Sequence, residues 1–445
     1  MIYTHKTVKF KTIIIAKYIK TVNFRKNLRK GAIFKMIRDH YLDVSKLTTD
    51  TEIMSFFDVI NRHGGVLRFV GGAVRDALKG ISGSDLNFAT DLSPEELVEI
   101  CTDEGIETIP IGMKQGSVGV VFGNKVVEVS SLYKYVFNGD GTADIEFTDN
   151  WEEDAARRDL TINAVYADEQ GNVFDYYNGI EDLEKGLIRF SGSADRRIQE
   201  DYLRILRYFR FYAMFGEGAP DKKAMEACKK NCKGLRKIPM ERIRDELFKL
   251  IQTRHVAKSY RLIQENGILS YIMPDAAFID DLDYFNSVAG EVSFEDDAVI
   301  KMFILYRPDA ALAENLATRL KFSRHKRNLF VALAERILDI TKANERTYAQ
   351  KMVYETSKDF VRGKLLTECT AKRELSAAVW KTYDQITQLP IKEFELKGKD
   401  LLTEHLCTPE EVGKILKELE QLWIDSDFTL SKEELLTQVR TKKVV

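Results

Sequence analysis

The sequence predicts an α+β protein: a small mixed sheet with helices in the N-terminal part, followed by all-helical domains. Three observations lead there. Between about residues 65 and 190, short apolar runs broken by glycine alternate with helical patterns, as expected when short strands are joined by helices. Beyond about residue 195 the strand signals stop and apolar residues recur at helical spacing. No run approaches the ~18–20 apolar residues of a membrane-spanning helix. A chain of 445 residues with 31% charged and 44% hydrophobic side chains therefore has the make-up of a soluble protein of about two to four domains.

The elements follow in order. Residues 1–35 are rich in Lys, Ile, Phe, Tyr and Thr, and residues 1–38 hold no Asp or Glu. This basic extension has three readings: sequence upstream of a start at Met36, a targeting peptide, or an arm for RNA phosphates. Val66-Leu67-Arg68-Phe69-Val70 reads as a buried strand, Gly71-Gly72 breaks it, and residues 73–78 read as helix. Residues 85–90 read as a second strand. Ser93-Pro94-Glu95-Glu96 starts a helix, with Ser93 as cap and Pro94 in the first turn. Residues 116–122 and 125–132 read as strands joined by Gly123-Asn124, a hairpin signal. Helices are expected at 200–214, 241–252, 256–265, 326–342, 373–388 and 409–423. The five cysteines form no paired CxxC units, so reduced thiols in a cytoplasmic protein are expected, with organellar targeting by residues 1–35 left open. The net charge of −2 does not argue against a nucleic-acid partner, because a basic face can be local.

Chemistry enters at Gly71-Gly72, between a strand and a helix start. Two glycines let a phosphate approach the backbone, and Arg75 follows one turn in. In a strand, positions 85 and 87 share a face, so Asp85 and Asn87 place two oxygen donors together, and Glu128 on a later strand offers a further carboxylate. That arrangement suits metal-assisted phosphoryl transfer. The blocks Gly71-Gly72-Ala73-Val74-Arg75-Asp76 and Asp85-Leu86-Asn87-Phe88-Ala89-Thr90 together resemble the signature of class II tRNA nucleotidyltransferases and the related bacterial poly(A) polymerases. In that family the acidic strand reads Asp-x-Asp and both aspartates hold metal. Here the second position is Asn87.

Further blocks come in the family's order. Arg157-Arg158-Asp159-Leu160-Thr161-Ile162-Asn163 resembles the motif for the nucleotide's sugar and phosphates, where guanidinium forks suit polyphosphate. Residues 174–190 resemble the flexible segment joining head to neck, with Tyr176 and Asn178 where the family has Pro and Gly. Glu200-Asp201-Tyr202-Leu203-Arg204 resembles the base-reading motif. Asp201 and Arg204 are three apart, one face of a helix. Glu241 to Leu247 resembles a bracing neck helix, and Phe394 to Leu401 looks like the tail of the subgroup. Arg319, Lys321, Arg324, Lys326 and Arg327 form a basic cluster that either grips tRNA or is a solvated face.

The resemblance implies a nucleotidyltransferase head over 36–190, a helical neck over 191–255, a body over 256–345 and a tail over 346–445. It implies Mg2+-dependent addition of CCA to tRNA 3′ ends from CTP and ATP, with tRNA and nucleoside triphosphates as partners and no membrane. Asp85, Asn87 and Glu128 would stand at the chemistry, the first two on metal. Gly71, Gly72, Arg75, Arg157, Arg158, Asp159 and Asn163 would hold phosphates and sugar, and Asp201 and Arg204 the base. Asn87, and Tyr133 where the family commonly has Arg, leave open a poly(A)-adding or partial CC- or A-adding enzyme, or a tRNA-binding relative with a weakened site.

Overall fold

The computed structural model describes residues 41–81, 83, 85–137, 143–289 and 297–442; the basic extension 1–35 and Ser84 lie outside them. The chain divides into two compact units. One comprises the residues up to 204 together with 215–227, the other 205–214 with 228–445.

The first unit is built on a seven-stranded sheet in the order β3-β4-β5-β2-β1-β8-β9. Its strands are β1 (Leu67–Val70), β2 (Asn87–Thr90), β3 (Thr108–Gly112), β4 (Ser117–Phe122), β5 (Lys125–Ser131), β8 (Val165–Ala167) and β9 (Val173–Asp175), while β6 (Tyr133–Phe137) and β7 (Ala143–Phe147) make a separate antiparallel ribbon. Every pair in the sheet is antiparallel except β2 with β5.

Alternation along the strands decides what each face carries. Leu67, Phe69, Phe88, Val118, Val120, Val127, Val129 and Val165 enter one core with α1 (Thr51–Arg62) and α3 (Pro94–Asp103). α1 offers Ile53, Phe56, Phe57 and Ile60, a helical stripe, and Asp50 caps it by accepting from the Glu52 amide. The rings of Phe57, Phe69 and Phe88 stand 4.8 to 5.5 Å apart. Each large apolar side chain fully buried there contributes about 1.5–3 kcal/mol, so this face fixes the register of the sheet. The opposite face carries a smaller cluster of Val70, Ala89, Leu132, Ala155, Ala164 and Tyr166, and it also bears half-buried Asn87 and Glu128. Ser93 caps α3 in a reciprocal box with Glu96, and Pro94 lies in its first turn, as the sequence predicts.

Among its described residues the second unit is helical, including Met240–Ile251, Val256–Glu265, Asp297–Tyr306, Arg324–Glu335, Lys358–Ala371, Ala377–Gln388 and Val412–Asp425. All residues of Asp297–Tyr306 are buried, which makes this helix central to the unit. No described helix is long and apolar enough to cross a membrane.

Several expectations needed correction. The helix expected at 200–214 is two: α6 (Ala194–Glu200) and α7 (Arg204–Phe215). Asp201 between them is extended at φ −153° and its carboxylate takes the Leu203 amide at 3.1 Å, a local bond that competes with the helical ladder. The helix expected at 326–342 stops at Glu335, with Arg336 extended. The one expected from 373 begins at Ala377, after Arg373 at φ 59°. The stretch 174–190 is not a bare connector, because the end of β9 and the whole of α5 (Gly179–Glu184) fall within it. Asp175 accepts the amides of Gly179 and Ile180 at 2.8 and 3.0 Å, pinning the turn.

Candidate active site

The site begins at the turn between β1 and α2 (Gly72–Leu78). Gly71 sits at φ 71°, ψ −126°, a conformation open to glycine and strained for other residues. Its N–H donates to the Val165 carbonyl at 3.3 Å, tying the turn to β8. A Cβ at Gly71 would come within 3.9 Å of Arg158 Nη1 and 3.8 Å of the Asn163 carbonyl, so the bare backbone faces the Arg158 guanidinium. Phe69 pairs with Phe88, which brings Asn87 level with Val70, beside the turn. Asn87 in turn pairs with Glu128 across the parallel ladder, and Glu128 Oε1 accepts from Ser117 Oγ at 2.6 Å.

Asp85 lies two residues ahead of the strand and is exposed. The shared-face argument for 85 and 87 therefore does not apply, since only Asn87 belongs to β2. Among the described residues, no three His, Cys, Asp or Glu side chains group to hold a metal ion. The nearest oxygen donors are the Glu128 carboxylate and the Asn87 amide, level across the ladder, with the Asp85 carboxylate two residues ahead of Asn87 in the chain. All are hard oxygen donors. They fit Mg2+, which takes one or two carboxylates and leaves other positions to water and phosphate.

The paired arginines are held by a residue the sequence reading passed over. Asp154 in α4 (Trp151–Arg157) is fully buried. Its Oδ1 accepts from Arg157 Nε at 2.7 Å, and its Oδ2 from Arg158 Nε at 3.0 Å and from the Tyr166 hydroxyl at 2.7 Å. The same hydroxyl accepts from Arg158 Nε at 3.0 Å. Burial alone would push the Asp154 carboxyl up, but the two guanidiniums outweigh it and hold it below the usual carboxylate range. Burial likewise works against the Arg158 charge, and Asp154 and Tyr166 more than restore it. The Arg157 guanidinium lies 3.3 Å from the ring centroid of Tyr133, a cation–π contact. Tyr133 and Tyr135 meet edge to face at 5.5 Å. Burial, with the Tyr133 hydroxyl beside it, pushes Tyr135 up to about 12.

Three residues expected on phosphates and sugar form a buried brace instead. Arg75 Nη1 donates to Asn163 Oδ1 at 2.5 Å, Arg75 Nε to Asp76 Oδ1 at 2.8 Å, and Asn163 Nδ2 to Asp159 Oδ1 at 3.1 Å. All of these side chains are buried. They stiffen the glycine turn from behind, whereas Arg157 and Arg158 are only half-buried.

The expected base-reading pair is arranged differently from the helix-face picture. Asp201 precedes α7 and Arg204 begins it, so the two do not share a helical face. Arg204 Nη1 donates to Glu200 Oε2 at 2.7 Å and to the Arg197 carbonyl at 3.1 Å, and Nη2 donates to the Arg157 carbonyl at 3.3 Å. Glu200 also pairs with Arg197 at 2.5 Å. Burial raises its carboxyl above the ordinary range against the pull of both arginines. The spacing of Asp154 to Arg157 and Arg158 is the i,i+3 and i,i+4 pattern of a helix and its cap, and it is the signal the sequence offers; Glu200 and Arg204 meet across the break between α6 and α7, which helical spacing does not announce.

In the second unit, Lys321 and Arg324 are exposed, Arg327 pairs with Glu314, and Lys326 Nζ lies 5.4 Å from the Phe248 ring centroid. Ser323 caps the helix that Arg324 opens. Cations at a helix N-terminus oppose its dipole, so this cluster is not explained by helix stability.

Against known proteins, residues 67–189 match the model of the poly A polymerase head domain, and residues 219–279 match the probable RNA and SrmB-binding site of polymerase A. The mitochondrial CCA tRNA nucleotidyltransferase 1 of Danio rerio is 33% identical over 393 residues, covering 86% of this chain and 89% of that one. The Homo sapiens protein of the same name is 32% identical, covering 87% and 89%. The CCA-adding enzyme of Streptococcus pneumoniae strain R6 is 29% identical, covering 84% and 93%. In fold, the chain is similar to the Bacillus stearothermophilus CCA-adding enzyme in complex with CTP, with TM-score 0.73, 24% identity and 88% and 98% coverage. It is also similar to the Thermotoga maritima CCA-adding enzyme complexed with tRNA, with TM-score 0.58, 19% identity and 91% and 100% coverage.

Proposed function

The chain belongs to the family of tRNA nucleotidyltransferases and poly(A) polymerases, and from that premise we propose how its residues carry out the reaction. The protein is a CCA tRNA nucleotidyltransferase, joining nucleotides to the 3′ end of tRNA. The tRNA 3′-hydroxyl attacks the α-phosphate of CTP or ATP and pyrophosphate leaves. The triphosphate lies along Gly71-Gly72, where the backbone is bare and Arg158 stands beside it. Arg157 and Arg158 take the charge of the outer phosphates, which guanidinium forks suit. Asp85 and Asn87, with Glu128 on the neighbouring strand, would hold Mg2+, which would supply neutralisation of phosphate charge and favour the ionised 3′-hydroxyl.

Cytosine and adenine each present an amine beside a ring-nitrogen acceptor, whereas guanine and uracil present a carbonyl beside an N–H. Asp201 accepts from the amine and Arg204 donates to the ring nitrogen, so one pair admits CTP and ATP. Glu200 and two backbone carbonyls fix the Arg204 guanidinium for this task. The observation that carries the phosphate reading is the approach of Arg158 to the bare Gly71 backbone. Incubation with tRNA lacking its 3′ end, CTP, ATP and Mg2+ tests the whole scheme. Addition of CCA and then arrest is expected; long A tails, or retained tRNA binding without extension, would count against it. The second outcome is the one Asn87 favours, because an amide leaves the metal corner one negative charge short.

Three relatives carry the word mitochondrial in their names, which supports an organellar destination over the cytoplasmic one expected from the sequence. Fusing residues 1–40 to a fluorescent protein tests this directly, and diffuse cytosolic signal would contradict it.

A further inference from the structure

We propose that Asp154 and Tyr166 form a positioning pair that aims Arg157 and Arg158 at the triphosphate, so that nucleotide affinity depends on two residues that never touch the nucleotide. This rests on the reading of those arginines as phosphate ligands. Asp154 divides its two oxygens between them, Oδ1 to Arg157 and Oδ2 to Arg158. Its side chain is fully buried, while those of the arginines keep 13% and 16% of their exposure. The carboxylate is thus at the root of the pair, and both guanidiniums retain some exposure while it has none.

Tyr166 closes the arrangement. Its hydroxyl donates to Asp154 Oδ2 at 2.7 Å and accepts from Arg158 Nε at 3.0 Å, which fixes the plane of the Arg158 guanidinium. The ring is itself wedged edge to face against Trp151 at 5.3 Å. Tyr166 also follows Val165, whose carbonyl accepts the Gly71 N–H. One strand, β8, therefore sets both the glycine turn and the guanidinium opposite it. A carboxylate shared by two cations leaves each guanidinium with unused donor edges, which a phosphate can take up.

Tyr166→Phe keeps the packing and removes only the hydroxyl, so the fold is preserved. One hydrogen bond lost predicts a rise of about fivefold in the KM for CTP and ATP and in the inhibition constant of pyrophosphate, with the tRNA KM unchanged and the melting temperature lowered by only a few degrees. Asp154→Asn, where it folds, predicts a fall on the order of 100-fold in kcat/KM for both nucleotides. A cycle with Arg158→Ala separates positioning from general support: if Tyr166 acts through Arg158, the double variant is no worse than Arg158→Ala alone. Additive losses, or a Tyr166→Phe protein with wild-type pyrophosphate inhibition, would overturn the proposal. Calorimetric titration of the intact protein with CTP and with pyrophosphate keeps the two readings apart. A wild type that binds neither defeats the phosphate site itself, whereas a wild type that binds both, matched by Tyr166→Phe, defeats only the positioning pair.

Discussion

At the scale of single residues, two positions decide how the head performs. Asn87 faces Glu128 across the parallel ladder and offers a neutral oxygen where a carboxylate would bind a hard cation more tightly. Asn87→Asp should lower the Mg2+ concentration for half-maximal activity by about tenfold, one charge–charge interaction in a partly wet site. A Mg2+ titration of CCA addition measures this, and an unchanged midpoint and rate would mean that Asn87 holds no metal. Glu200 is the second. Burial raises its carboxyl above the ordinary range, so on acidification it takes a proton ahead of most carboxylates and releases Arg204. The sign for stability is opposite: a raised carboxyl contributes most when protonated, and that contribution is lost as pH rises through the folded value. Asp154, held low, contributes above the ordinary carboxylate value and loses this only in stronger acid. Activity on CTP should therefore begin to fall on acidification above the ordinary glutamate range without a matching fall in melting temperature, and Glu200→Gln should flatten that limb. Parallel decline of both, with or without the substitution, would place the titrating group elsewhere.

At the scale of elements, what the sequence disclosed depended on whether a segment's pattern came from its own side chains. β1, the β4–β5 hairpin and Val256–Glu265 were legible because valine-rich runs ending in glycine, or a stripe at helical spacing, define them locally. β8 and β9 have three residues each, too few for a period to show, and only the sheet makes them strands. Asp201 misled because a helical spacing says nothing about a side chain that captures its own backbone. Asp154 was hidden among Glu152 and Glu153, which sit in the first turn of α4 as the dipole favours; only the third of these acids turns inward. Arg75 is legible beside the glycines and next to its partner Asp76, but its other partner, Asn163, lies 88 residues on, beyond any local pattern. The turn around α5 offers a test of how tightly these elements fit. A Cβ at Gly179 would collide with the Thr161 carbonyl, and backbone cannot swing aside as a side chain can. Gly179→Ala should cost roughly 1–3 kcal/mol, read as a lower denaturation midpoint with an unchanged slope. A neutral substitution would show that the chain between β9 and α5 has slack.

At the scale of the whole molecule, a near-neutral chain must bind a polyanion through local fields. Lys321 and Arg324 are exposed, whereas Arg327 already spends part of its charge on Glu314. Arg324→Glu should weaken tRNA binding by about tenfold and shallow its salt dependence by about one unit of log slope, with the CTP KM unaffected; Arg327→Gln should do less. A filter-binding series at several salt concentrations checks both, and equal effects on tRNA and CTP would refute a role for this cluster in gripping RNA. The order of the strands has a different kind of consequence. β1 pairs with β8, so the opening strand of the sheet waits for a neighbour almost a hundred residues later. Until β8 has been synthesised, one flank of β1 has no partner and the glycine turn lacks the carbonyl that anchors it. A strand edge left open in this way is prone to wrong partners. The head thus ripens late, when β8 and β9 emerge and close it.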